Sequence, residues 1–161
     1  MISGNSSHLE MLTTLLDHNV EFLIVGGYAV ILHGYIRTTG DLDIWVNPTP
    51  ENITRMLKAF TQMGFDPEGI ETIRQMNFSN VVVFHIGEEP DRIDFLSQIA
   101  GVDFTSAISR HEFVIFNQYR IPYLHLEDLI ANKTRSGRMQ DLADVEELRN
   151  IAHIRNQQKK I

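Results

Sequence analysis

The run Phe22-Leu23-Ile24-Val25, entered from Glu21, stops abruptly on two glycines, Gly26 and Gly27, and no other stretch limits the fold so tightly. A short apolar run of this kind fits a buried strand. Two glycines directly behind it allow a sharp turn, or a close approach of backbone to a bulky ligand, because neither carries a Cβ. Fifteen residues beyond Gly26 the chain becomes apolar again as Asp41-Leu42-Asp43-Ile44-Trp45-Val46. Residues i and i+2 of a strand project from one face, so Asp41 and Asp43 aim together. The two stretches predict a phosphate cradle beside a paired-carboxylate metal site.

Composition narrows the setting. With 161 residues and 43% hydrophobic content, the chain is expected to form one domain over 1–161, a core at about 20–123 and a helical segment at about 124–155. A formal charge of −7 argues against a broad nucleic-acid surface, which draws on clustered Lys and Arg, but leaves room for RNA held by a local basic patch. With no cysteine, thiolate metal sites are excluded, and the chain suits a reducing cytoplasm. The N-terminal residues Met1 to His8 lack the basic and apolar regions of a secretory leader. The apolar stretch around residues 22–32 is too short to span a bilayer. A soluble, cytoplasmic protein is expected.

The order of elements follows from periodicity and punctuation. Leu9, Leu12, Leu15 and Leu16 recur at helical spacing after Ser6-Ser7, a cap candidate, and Asn19 closes that helix. Strands are expected at 21–25 and 42–46, with a short helix from Tyr28 to His33 ended by Gly34 between them. Thr49-Pro50-Glu51 reads as a cap followed by Pro at the first helical position, so a helix runs to about Met63 and Gly64. Residues 65–80 are turn-rich and carry no assigned element. Strands at 81–86 and 92–96, a short helix at 103–109 and a hairpin across Asn117-Gln118 follow. Helical patterns at 127–133 and from Arg138 to about Ile154 close the chain. The order suggests an α/β or α+β domain with a mixed sheet.

Magnesium takes hard oxygen ligands, typically a few carboxylates plus substrate phosphates, and two-metal transfer needs carboxylates that bridge the ions. Asp41 and Asp43 supply the local half of such a site. A third acid has to come from a neighbouring strand, and Asp94, between Ile93 and Phe95, is the best placed. A charge there is costly to bury without a partner or a metal. Asp91 is the weaker candidate, since it follows Pro90 in a turn and lies out of phase with Asp94.

The strings Val25-Gly26-Gly27-Tyr28-Ala29-Val30, His33-Gly34, Arg37-Thr38-Thr39 and Asp41-Leu42-Asp43-Ile44 closely resemble the nucleotidyltransferase superfamily of the DNA polymerase beta type. They look most like its small stand-alone members, including those related to abortive-infection toxin nucleotidyltransferases. Leu126-Glu127-Asp128-Leu129 through Lys133, and Arg138 through Asp144, look like the closing segment of these minimal enzymes. The resemblance implies an α+β fold with a mixed sheet flanked by helices and closed by C-terminal helices. It implies transfer of a nucleoside monophosphate from a nucleoside triphosphate to an acceptor, with release of pyrophosphate. By this resemblance Gly26 and Gly27 bind phosphate, Asp41, Asp43 and Asp94 hold two Mg2+ ions (or Mn2+) and carry catalysis, and Asp94 serves as base. Where many members have Gly-Ser, this chain has Gly27-Tyr28, so the hydroxyl that would meet the phosphates has to come from Thr38 or Thr39, or its role from Arg37.

The remaining candidates carry two readings each. Arg37 suits bidentate phosphate binding or a pairing with Asp41. Lys133 and Arg138 suit either the nucleotide phosphates or a solvated helix face with Asp141 and Asp144 as partners. His33 fits a helix end, and Trp45 a core or pocket wall. The seven histidines form no HxxxH or HxH pair, which speaks against zinc. An RNA, a protein or a small molecule such as a lincosamide can each be the acceptor, and an antitoxin partner is compatible with the toxin-like resemblance. A nucleotide-binding or partner-binding module without turnover is the reading from another class.

Overall fold

The computed structural model describes residues 5–161, so the part of the Met1–His8 expectation that concerns residues 1–4 lies outside the described residues. Helix α1 (Ser6–Asp17) leads into β1 (Phe22–Val25), α2 (Gly26–Leu32), β2 (Leu42–Val46) and α3 (Pro50–Gln62). Then come α4 (Pro67–Arg74), β3 (Val83–Ile86), β4 (Ile93–Leu96), α5 (Phe104–Ile108), β5 (Glu112–Phe116) and β6 (Tyr119–Tyr123), followed by α6 (Leu126–Ser136) and α7 (Met139–Gln158). The strands make one six-stranded sheet in the order β3-β4-β2-β1-β6-β5. β1 runs antiparallel to β2 and parallel to β6, β2 runs parallel to β4, and the pairs β3/β4 and β5/β6 are antiparallel. The mixed α+β architecture expected from the element order is therefore present.

Local chemistry accounts for the element ends. Thr49 caps α3 by accepting from the Asn52 backbone N–H, with Pro50 at the first helical position. Ile53, Met56, Leu57 and Phe60 then recur at i, i+3, i+4 and i+7 and are buried. Asn52 is buried as well: its amide accepts from the backbone N–H of Glu21 and donates to the carbonyls of Glu21 and Asn47. That side chain ties the start of β1 to the end of β2.

Three expectations need correction. The cap of α1 is Asn5, whose side chain accepts from Ser7 and His8, rather than Ser6 or Ser7. Helix α2 begins at Gly26 itself, two residues earlier than expected. Residues 65–80 contain α4, which starts with the Asp66 cap, Pro67 and Glu68 in the first turn. The same cap-then-proline signal that announces α3 was present there, masked by the turn-forming residues around it.

The sheet has two unlike faces. One buries Leu42, Ile44 and Phe95 under α3, with the Phe60 ring set edge-on to Phe95 at 5.4 Å. The other carries Asp43, Trp45 and Asp94. On that side α5 covers Trp45, whose ring meets Phe104 at 4.9 Å and whose Nε1–H donates to the Ser97 carbonyl. Trp45 is thus a core residue, as expected. Among the described residues no helix is long and apolar enough to cross a membrane.

Candidate active site

Strand pairing does what sequence distance hides. Asp43 of β2 lies directly opposite Asp94 of the parallel strand β4, and opposite Val25 of β1 on its other side. The two carboxylates therefore stand on one face, next to the turn from β1 into α2. Gly26 adopts φ +66, and a Cβ there would collide with Asp43 Oδ2. A Cβ on Gly27 would press into Thr39 Oγ1 and lie 3.0 Å from Arg37 Nη2. The glycine pair is required because side chains of the site crowd both positions, and only the absent Cβ atoms make that fit.

Nine of the residues singled out from the sequence, Gly26, Gly27, Arg37, Thr38, Thr39, Asp41, Asp43, Asp94 and Lys133, line one cleft of about 1070 Å³. Asp91 stays outside it and accepts from the Asn5 side chain at 2.8 Å. Tyr28 also stays outside, buried edge-on against His8 at 5.6 Å. The position where a serine hydroxyl is expected is thereby turned into the core, and the Thr39 hydroxyl stands over Gly27 instead. His33 is structural: its Nε2 makes a 2.7 Å hydrogen bond with the Leu124 carbonyl oxygen, joining the end of α2 to the segment after β6.

The acids are poorly compensated. Burial, followed by the charges of Asp94 and Asp41, pushes the Asp43 carboxyl up to about 7, and Lys133 and Arg138 offset only part of this. Asp41 Oδ1 is buried and has no hydrogen-bond partner. Among the described residues, Arg92 is the one counterion that reaches Asp41 and Asp94: its Nε donates to Asp94 Oδ1 at 2.8 Å and lies 3.9 Å from Asp41 Oδ2. Arg92 was not among the sequence candidates, although at two residues from Asp94 it shares that strand face. Among the described residues, no three His, Asp or Glu side chains stand close enough together to hold an ion as they are. A buried oxygen without a donor, and two acids converging on a single cation, nevertheless fit a divalent cation better than they fit an apolar or anionic ligand.

Two expectations about the basic residues are corrected here. Arg37 pairs with Asp144 and not with Asp41: its Nη2 donates to Asp144 Oδ2 at 3.0 Å, while Nη1 donates to the Thr38 carbonyl at 2.8 Å. Lys133 is no solvated side chain, being 4% exposed, with Nζ 2.8 Å from Asp144 Oδ2 and 3.1 Å from Asp141 Oδ1. Arg138 stays exposed and donates to Asp141 Oδ2 at 2.8 Å. Burial alone would raise the Asp141 carboxyl, but the bonds from Arg138, Ser136 and Lys133 outweigh it and hold it down at about 2. Helices α6 and α7 thus grip the Arg37–Thr39 loop through Asp144.

The whole described chain, residues 5–161, matches the family described as "Nucleotidyl transferase of unknown function (DUF2204)". Among solved structures, a Thermotoga maritima protein assigned as a nucleotidyltransferase is similar in fold, with 17% identity, 93% of each chain covered and a TM-score of 0.51. The lincomycin-bound lincosamide antibiotic adenylyltransferase LnuA matches at 16% identity over 91% of this chain and 97% of its own, with a TM-score of 0.49. No curated protein sequence matches the chain. A nucleotidyltransferase fold with a glycine turn beside paired acids is what the sequence implied, and the chain belongs to this family of nucleotidyl transferases.

Proposed function

We propose that the protein transfers a nucleoside monophosphate from a nucleoside triphosphate to an acceptor hydroxyl, with divalent cations held by Asp41, Asp43 and Asp94. The observation that carries this reading is the facing pair Asp43 and Asp94 beside the buried, unpartnered Asp41 Oδ1, all next to the Gly26-Gly27 turn. When bound, magnesium or manganese would neutralise the charge that develops on the transferring phosphoryl group.

The chain's own residues set the rest. Arg37 and the Thr39 hydroxyl hold the outer phosphates over Gly27, with Arg37 fixed in place by Asp144. Asp94, on the side of Asp43 away from the glycine turn, accepts the proton of the attacking hydroxyl. The new bond forms from the acceptor oxygen to the α-phosphorus. The bond from the α-phosphorus to the bridging oxygen breaks, and its electron pair leaves with pyrophosphate. Most of the rate enhancement comes from this alignment and from fixed charges. A cytoplasmic setting, where triphosphates and magnesium are supplied, goes with this reading.

Calorimetric titration with a non-hydrolysable triphosphate analogue, with and without magnesium, tests the site, and pyrophosphate release tests turnover. The expected outcome is magnesium-dependent binding that survives in Asp94→Asn while pyrophosphate release is lost. Binding that ignores magnesium would remove the metal-site reading.

A further inference from the structure

The cleft differs in chemistry from one end to the other. Its cations, Arg37, Lys133 and Arg138, come from the loop before β2 and from the α6–α7 region, and Arg37 lies against Gly27. The segment from Val81 to Ala100 contributes no Lys or Arg to the lining. Arg92 of that segment is paired with Asp94 and Asp41 and is not among the side chains that line the cleft. Instead, Val83 lies opposite Leu96, one pleat step beyond the pair His85 and Asp94, so both share the face of the acids. Val83 is 59% exposed and Val81 67%. A solvated strand face is ordinarily polar, and an exposed apolar one beside a reactive group is typical of a binding surface.

In-line displacement places the entering and leaving oxygens on opposite sides of the phosphorus. With the outer phosphates over Gly27, the acceptor enters from the far side, across Asp94 and over β4 and β3. We propose that the apolar shelf of Val81, Val83 and Leu96 is the acceptor subsite, and that it takes a small, phosphate-free molecule presenting a hydroxyl and an apolar face. The inference rests on the nucleotidyl-transfer reading above and gives it a substrate class. Glu89 and Asp94 are the charged side chains that line this end, so a neutral or cationic acceptor is favoured. An RNA acceptor needs unpaired Lys or Arg for its backbone; no cation of this segment lines the cleft, and the neighbouring Arg92 is already engaged by Asp94 and Asp41. The acceptor hydroxyl oxygen bonds to the α-phosphorus, its proton passes to Asp94, and pyrophosphate departs with the electron pair of the broken bond.

The test compares wild type with Val83→Lys, a change at an exposed strand position, and with Val83→Ile as the conservative control. Labelled triphosphates and magnesium are supplied with tyrosol, tyramine and 2-cyclohexylethanol in separate reactions, and with bulk transfer RNA in another. The expected result is labelled product on the alcohols and not on RNA. Val83→Lys raises the alcohol KM roughly tenfold, the scale of disturbing an apolar pocket by a few atoms, and Val83→Ile restores it. Analogue binding stays unchanged in both variants. Transfer to RNA that Val83→Lys leaves intact or improves would overturn the assignment, as would analogue binding with no product on any alcohol. If wild type fails to bind the analogue at all, the nucleotidyl-transfer reading fails first, and the shelf assignment with it.

Discussion

Two sets of carboxylates border the same cleft and are treated in opposite ways. Asp141 and Asp144, 2% and 0% exposed, are surrounded by Lys133, Arg37 and Arg138, and the Asp141 carboxyl is held down at about 2. Among the described residues, Asp41 and Asp94 share the single cation Arg92, Asp43 makes no direct ion pair, and its carboxyl is pushed up to about 7. Burying a carboxylate beside matched cations costs little net, whereas crowding several without them destabilises the fold. The first set is therefore read as scaffold. The second is read as a place that a cationic ligand completes.

The largest effect expected from this contrast lies at Asp43. Asp43→Asn should lower turnover by at least about 10³-fold, the equivalent of several kcal/mol of lost charge stabilisation. In a chelator-treated sample at pH 8 the same change should raise Tm by about 5 °C, since relieving a charge penalty on the order of 2 kcal/mol shifts Tm by a few degrees per kcal/mol. The sign follows from a folded pKa of about 7 against the ordinary 3.8. The folded state binds the extra proton between those values, so stability falls as pH rises through that window, and the gain from Asn is absent below about pH 4. Thermal melts at pH 4 and pH 8 check it, and a lower Tm at pH 8 would break the comparison.

The paired set should answer in the other direction. Lys133→Met leaves Asp141 and Asp144 buried with fewer cations and should destabilise by about 3 kcal/mol in urea titrations. A smaller loss is expected on the substrate side. Thr39→Val should raise the triphosphate KM about tenfold, the value of one hydrogen bond to a charged group, with melting unchanged. The smallest effect is in acid. Because the folded pKa of Asp141 is about 2 and its ordinary value 3.8, its contribution is present above pH 3.8 and is lost as pH falls through 2. Asp141→Asn should flatten that part of the acid-unfolding curve relative to wild type.

Much of the frame was legible because it is local. The four apolar residues before Gly26, the cap at Thr49-Pro50 and the hairpin around Asn117 each state their own geometry within a few residues. The common face of Asp41 and Asp43 was legible for the same reason, since two-residue spacing fixes a strand face. Helix α4 was missed where Pro67 and Gly69, read as turn residues, hid the Asp66 cap. Asp141 and Asp144 are the partners expected for Lys133 and Arg138, but the partner of Arg37 was misjudged for a different reason. Arg37 meets Asp144 across 107 positions, and spacing along the chain contains no information about such a pair.

By itself the sequence determined the turn at Gly26-Gly27, the common face of Asp41 and Asp43, and an alternating order of helices and strands. The tertiary structure alone decided which carboxylates receive cations. Parallel pairing of β2 with β4 sets Asp94 against Asp43, and the docking of α6 and α7 gives Lys133 to Asp141 and Asp144. Charge compensation depends on separations of a few ångströms between residues far apart in the chain. Those separations exist only once the sheet and the closing helices are assembled.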